Sequence, residues 1–146
     1  MERIASRNFN VDYFEKEGEV WVVETQLKDN EHDIELTVEL DMTSMTVTDA
    51  VIKFNRFPVE HCLLLQKKAE RMIGLKVDGE FSRNAMKLFL GAEGCPNIMS
   101  LILISIPGIL YFYYPYKIKT GKIEHEEFDH MIKTELKNAC LAHTLL

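Results

Sequence analysis

Residues 33–41 read DIELTVELD. Ile34, Leu36, Val38 and Leu40 fall at every second position, with Glu35, Thr37 and Glu39 between them. Successive side chains of a β-strand point to opposite faces, so this period predicts a strand with one buried and one solvated face. Residues 8–15, NFNVDYFE, repeat the pattern through Phe9, Val11 and Tyr13. The chain turns at Glu17-Gly18-Glu19, and residues 19–27, EVWVVETQL, are β-branched and aromatic enough to return as a hairpin partner. A polar turn, KDNE, leads into DIELTVELD, and a tight turn at residues 42–44 leads to a fourth strand over 45–54. The expected fold class is α+β: an antiparallel meander of three to four strands over about residues 8–54, needing cover on one face.

The cover is expected as helices over about residues 58–144. Pro58 suits a first helical position. Cys62, Leu65, Ala69, Met72 and Ile73 follow at helical spacing, and Gly74 can close that helix in the left-handed conformation. A short helix is predicted from an N-cap at Ser82 to a stop at Gly91. Pro96 starts a third, through about Ser105. A last helix is predicted over about 124–144, with Phe128, Ile132, Leu136, Cys140 and Leu141 on one stripe. No internal repeat or second domain is apparent, and 146 residues suit one domain, 1–146.

The totals narrow the function classes. A net charge of −6 argues against a nucleic-acid footprint and against an anionic membrane surface. Three cysteines, with no CxxC and no basic-then-apolar leader in MERIASR, point to the cytoplasm and reduced thiols. Residues 97–116 carry no charge and have the length of a spanning helix. Pro107-Gly108 and Pro115 interrupt them, so a buried helix followed by an aromatic strand or loop is expected instead.

His32, Cys62 and Cys95 each stand where a regular element begins, and such ends can converge on one edge of a domain. Imidazole and thiolate are donors for soft or borderline metals, which makes these three the candidate metal ligands, for zinc or iron. Cys95 precedes Pro96 and is the expected N-cap of its helix, where the macrodipole favours a thiolate. Gly91 and Gly94 would let the backbone there approach something closely. Taken singly, Cys62 on its apolar stripe reads as core, and His32 as a loop residue. Cys140 reads as core, and His125, His130 and His143 as surface.

Two further readings use the same residues. One is a thiol enzyme with Cys95 as nucleophile and His32 as its base. The other is a non-catalytic module that pairs with a protein partner, or with its own copy, through the uncharged stretch from Ile98 to Tyr116, whose aromatic content suits an interface.

The order His32-Asp33, TVTDA, Pro58-Val59-Glu60-His61-Cys62, Ile73-Gly74-Leu75 and Gly94-Cys95 resembles a bacterial domain family of unknown function, over most of residues 1–105. Where that family tends to have Cys-x-His, this chain has Cys95-Pro96-Asn97, and asparagine is a poor ligand for a soft metal. More remotely, VTDAVIKF before Cys62 and GCPNIMSLIL resemble the NifU/IscU-like scaffolds of iron–sulfur cluster assembly. That resemblance implies a metal- or sulfur-handling scaffold, with His32 in the acidic-ligand position and Cys62 and Cys95 as thiolates. The scaffold's first cysteine has no counterpart, since it falls near Asn30. Three donors suit a zinc with an open fourth position, or an iron completed by Asp33, water or a partner, better than a [2Fe–2S] cluster.

Overall fold

In the computed structural model, which describes residues 1–134 and 136–145, DIELTVELD is strand β3 (Asp33–Asp41). It lies in a four-stranded antiparallel sheet with β1 (Asn8–Glu15), β2 (Val20–Lys28) and β4 (Thr46–Arg56), in the order β1-β2-β3-β4. Ile34, Leu36, Val38 and Leu40 are fully buried, as are Val23 and Leu27 of β2 on the same face. Register places Val38 between Val23 and Ala50, and Leu36 between Thr25 and Ile52. The fourth strand needs an irregularity that simple alternation does not foretell. The register shifts between Glu39 and Leu40, leaving Thr48 as an extra residue. This bulge lets Val47 and then Ala50, Ile52 and Phe54 all face the core despite their opposite parity.

The two edges of the sheet differ. Lys16 donates its N–H to the Val20 carbonyl (2.8 Å), and the register carries that phase along β1. Even-numbered residues therefore face β2, and Val11 turns its N–H and C=O away from it. The outer edge of β4 is instead covered. Val47 N–H bonds the Leu75 carbonyl (2.9 Å), and the Val47 carbonyl accepts from Gly74 N–H (2.8 Å). Ala50 N–H bonds Asp49 Oδ1, and Phe54 N–H bonds Gln66 Oε1, both at 2.9 Å.

Gln66 lies in Glu60–Met72, which is a 3-10 helix and not the α-helix expected. Its sheltered positions recur every third residue, Gln66, Ala69 and Met72 beside Cys62, Leu65 and Lys68, because side chains three apart eclipse in a 3-10 helix. Gly74 (φ +90°) ends it in the left-handed region as expected. Helix α1 (Phe81–Phe89) starts one residue before Ser82, with Glu80 as N-cap. Helix α2 (Pro96–Ser105) starts and stops as predicted, and its Ile98, Leu101 and Ile102 are fully buried. It packs on β1, β2 and β3 and roofs the sheet.

The chain divides into two compact units, the first Met1–Pro107 and the second beginning at Gly108. In the second, the aromatic stretch is not a strand or loop but helix α3 (Leu110–Lys119), which runs through Pro115. An interior proline removes one N–H and crowds the carbonyl four residues back, a cost that this helix bears without ending there. The predicted last helix is two: α4 (His125–Thr134) and α5 (Leu141–Thr144). Asn138 adopts φ +68°, which a continuous helix does not allow, and Cys140 caps α5 in an exposed position and is not a core residue.

Candidate functional site at the β2–β3 turn

His32 closes the turn between β2 and β3. Asp29 N–H donates to the His32 carbonyl (2.9 Å), and Asp29 Oδ1 accepts the N–H groups of Glu31 (2.8 Å) and His32 (2.7 Å). The same oxygen lies 3.0 Å from His32 Nδ1. Arg7, just before β1, donates to Asp29 Oδ2 through Nε (2.9 Å) and Nη2 (2.7 Å). Its Nη1 reaches Asn97 Oδ1 (3.0 Å) in the first turn of α2, and Asn97 Nδ2 lies 3.2 Å from His32 Nε2. Arg7, Asp29, His32 and Asn97 thus form a closed ring. Arg56, at the end of β4, adds an Nη2 contact to the carbonyls of Asp29 and His32.

The chemistry of the donors fixes every proton in this ring. A guanidinium only donates, so the Asn97 atom facing Arg7 is its oxygen and the amide nitrogen faces His32. That nitrogen donates, so His32 Nε2 holds a lone pair and Nδ1 carries the proton, given to Asp29. Burial pushes the Asp29 carboxyl up, but the amides of Glu31 and His32, the His32 ring and Arg7 outweigh it and hold the group well below the usual carboxylate range. Asp29 and His32 side chains are only 10% and 16% exposed, so these bonds are sheltered from water.

The three sequence candidates stand at different elements. Cys95 is the N-cap of α2, as expected, in extended conformation and half-buried. Its N–H bonds the Phe89 carbonyl (2.8 Å) and its carbonyl accepts from Met99 N–H (3.0 Å). The close approach that Gly94 permits is to the chain itself: a Cβ there would lie 1.9 Å from the Phe89 oxygen. Cys62 is half-buried in the 3-10 helix beside β4. Among the described residues, no group of three or more His, Cys, Asp or Glu side chains is arranged to hold a metal ion. His32 has both ring nitrogens engaged. The residues present therefore do not fit the zinc or iron that the scaffold resemblance implies. The imidazole lone pair that a Cys95 nucleophile would need is held by Asn97.

Within the stretch from Ile98 to Tyr116, α2 buries Ile98, Met99, Leu101 and Ile102 but leaves Leu103 40% and Ile104 47% exposed. In the second unit, α3 exposes Tyr111 and Phe112. Pro96–Lys119 is a helical run long and apolar enough to cross a membrane by length and composition. The inward side of α2 is committed to the sheet.

Sequence reasoning missed Arg7, Asp29 and Asn97. A signal existed for Asp29, which stands three residues before His32 in a polar turn where a carboxylate can bond the amides ahead of it. Arg7 and Asn97 are 90 residues apart and carry no spacing signal.

A family described as proteins of unknown function (DUF2889) matches residues 5–107. No curated protein and no solved structure matches the chain. The comparisons thus give the iron–sulfur scaffold resemblance no support.

Proposed function

The chain belongs to the DUF2889 family, whose function is unknown, and we propose that it acts as a non-catalytic protein-binding module through the outward side of α2. One observation carries this reading: α2 is apolar on both sides. A helix that roofs a sheet usually sets charged or polar residues against water, whereas a helix apolar all round is one that ends up buried. Here the inward side meets the sheet and the outward side presents Leu103 and Ile104, with no charge anywhere in PNIMSLILIS. The polar ring at His32 supports the non-catalytic half of the reading, since its imidazole and carboxylate are spent on each other and on the fold.

A photo-crosslinking side chain placed at Ile104 in cells should give a discrete adduct with another polypeptide. The same group at Lys53, on the open face of the sheet, should not. Leu103→Glu should abolish the adduct while leaving the far-ultraviolet spectrum unchanged. No protein adduct at Ile104, or flotation of the protein with lipid vesicles in a Leu103-dependent way, would remove this reading.

A further inference from the structure

We propose that α3, α4 and α5 frame a binding site for a small uncharged molecule with an apolar body and one hydroxyl group. The cavity lies within the second unit, and the side chains that line it all belong to residues 110–143. Phe128 and Ile132 of α4 and Leu136 just beyond it stand four residues apart on one stripe. Tyr111 and Pro115, also four apart, add a wall from α3. Continued as one helix, the α4 stripe would bring Cys140 next. Asn138, left-handed, and Cys140, extended, interrupt it, so Cys140 is exposed and His143 of α5 lines the cavity in its place. His143, expected at the surface, is half-buried. Its Nδ1 is sealed from water and has no hydrogen-bond partner among the described residues. Folded proteins seldom leave a buried polar atom unbonded, because its lost hydration goes unrepaid. A molecule that bonds Nδ1 recovers that loss.

The lining selects the chemistry of the ligand. It includes no Asp, Glu, Lys or Arg among the described residues, so a carboxylate or an ammonium would lose its water without gaining a counter-ion. A ring nitrogen of neutral imidazole is a donor in one tautomer and an acceptor in the other. A hydroxyl both donates and accepts, so it meets Nδ1 in either form, whereas a carbonyl meets only one. Size sets the apolar part. The cavity measures about 80 Å³. An apolar cavity of roughly 150 Å³ holds benzene, so this one suits an aliphatic body of about three or four carbons. The hydroxyl sits on His143 Nδ1, and the carbons lie against Phe128 and Ile132.

1-Propanol titrated into the full chain should bind saturably at one site and move the nitrogen resonance of His143 Nδ1. 1-Chloropropane, similar in shape but without an O–H, should bind about ten-fold more weakly. His143→Leu should remove that preference and leave 1-chloropropane binding as it was. Ile132→Trp, which fills the cavity, should abolish binding of both probes with an unchanged circular dichroism spectrum. Equal binding of the two probes to the wild-type chain overturns the proposal, and so does an alcohol preference that survives His143→Leu. If both variants fail to fold, the wild-type resonance decides. An Nδ1 signal that saturating 1-propanol leaves in place, as a tightly held water would, is equally fatal.

Discussion

β1 and β4 flank one sheet, share its apolar face and have opposite fates. β4 is closed by Gly74, Leu75 and Gln66, each meeting a backbone group that would otherwise face outward. β1 is paired with another strand of the sheet on one side only. The difference lies in the path the chain takes after each strand. It leaves β4 through a 3-10 helix and a return stretch that run back along the strand, whereas β1 comes first and leads directly into its hairpin partner. An edge is therefore sealed by the chain that happens to pass it.

The same substitution on the two edges gives the sharpest test. Val47→Pro removes the donor to Leu75 in a residue 1% exposed, and should cost about 3 kcal/mol in chemical unfolding. The polar corner is tied to both sides, by Arg7 before β1 and Arg56 at the end of β4. Asp29→Ala should accordingly cost about 2 kcal/mol at neutral pH, since it strips two amides, the His32 ring and Arg7 of one acceptor group. Because the folded carboxyl titrates below its unfolded counterpart at ~3.9, its contribution is present above that range and lost as pH falls below it. The gap between wild type and Asp29→Ala should thus close in acid, and a gap that widens there would contradict the assigned bonding.

Gln66→Ala leaves the Phe54 N–H buried and unbonded, and should cost about 1 kcal/mol, read as a lowered denaturant midpoint. Smallest of all, Val11→Pro should change stability by less than about 0.5 kcal/mol, because edge strands accept proline where the N–H faces outward. Equal losses for Val11→Pro and Val47→Pro would erase the distinction between the edges.

The sheet was legible because period two is a local signal, and Ile34 to Leu40 state it without interruption. Legibility fell where geometry depends on more than spacing. Cys62, Leu65, Ala69 and Met72 fit both three- and four-residue steps, so the 3-10 path along β4 could not be told from an α-helix. Asn138, left-handed, and Cys140, extended, interrupt the last helical stripe by backbone angles that its spacing does not announce. At the site, His32 was visible as a residue but not as a participant. Its significance comes from Asp29 and Asn97, the latter 65 positions away, and from a guanidinium that orders their protons. The convergence expected of His32 with Cys62 and Cys95 rested on element ends meeting at one edge, and the end that does meet His32 brings the amide of Asn97.

Two of the side-chain amides, Gln66 and Asn97, differ in how they would age. Gln66 offers the Phe54 N–H its oxygen, which hydrolysis to a carboxylate would preserve. Asn97 uses both ends, oxygen toward Arg7 and nitrogen toward a bare imidazole nitrogen. Deamidation there would set oxygen against lone pair and open the ring where α2 meets His32. One lost ammonia would keep the acceptor at the sheet margin, yet would take from His32 the donor that ties it to the base of α2.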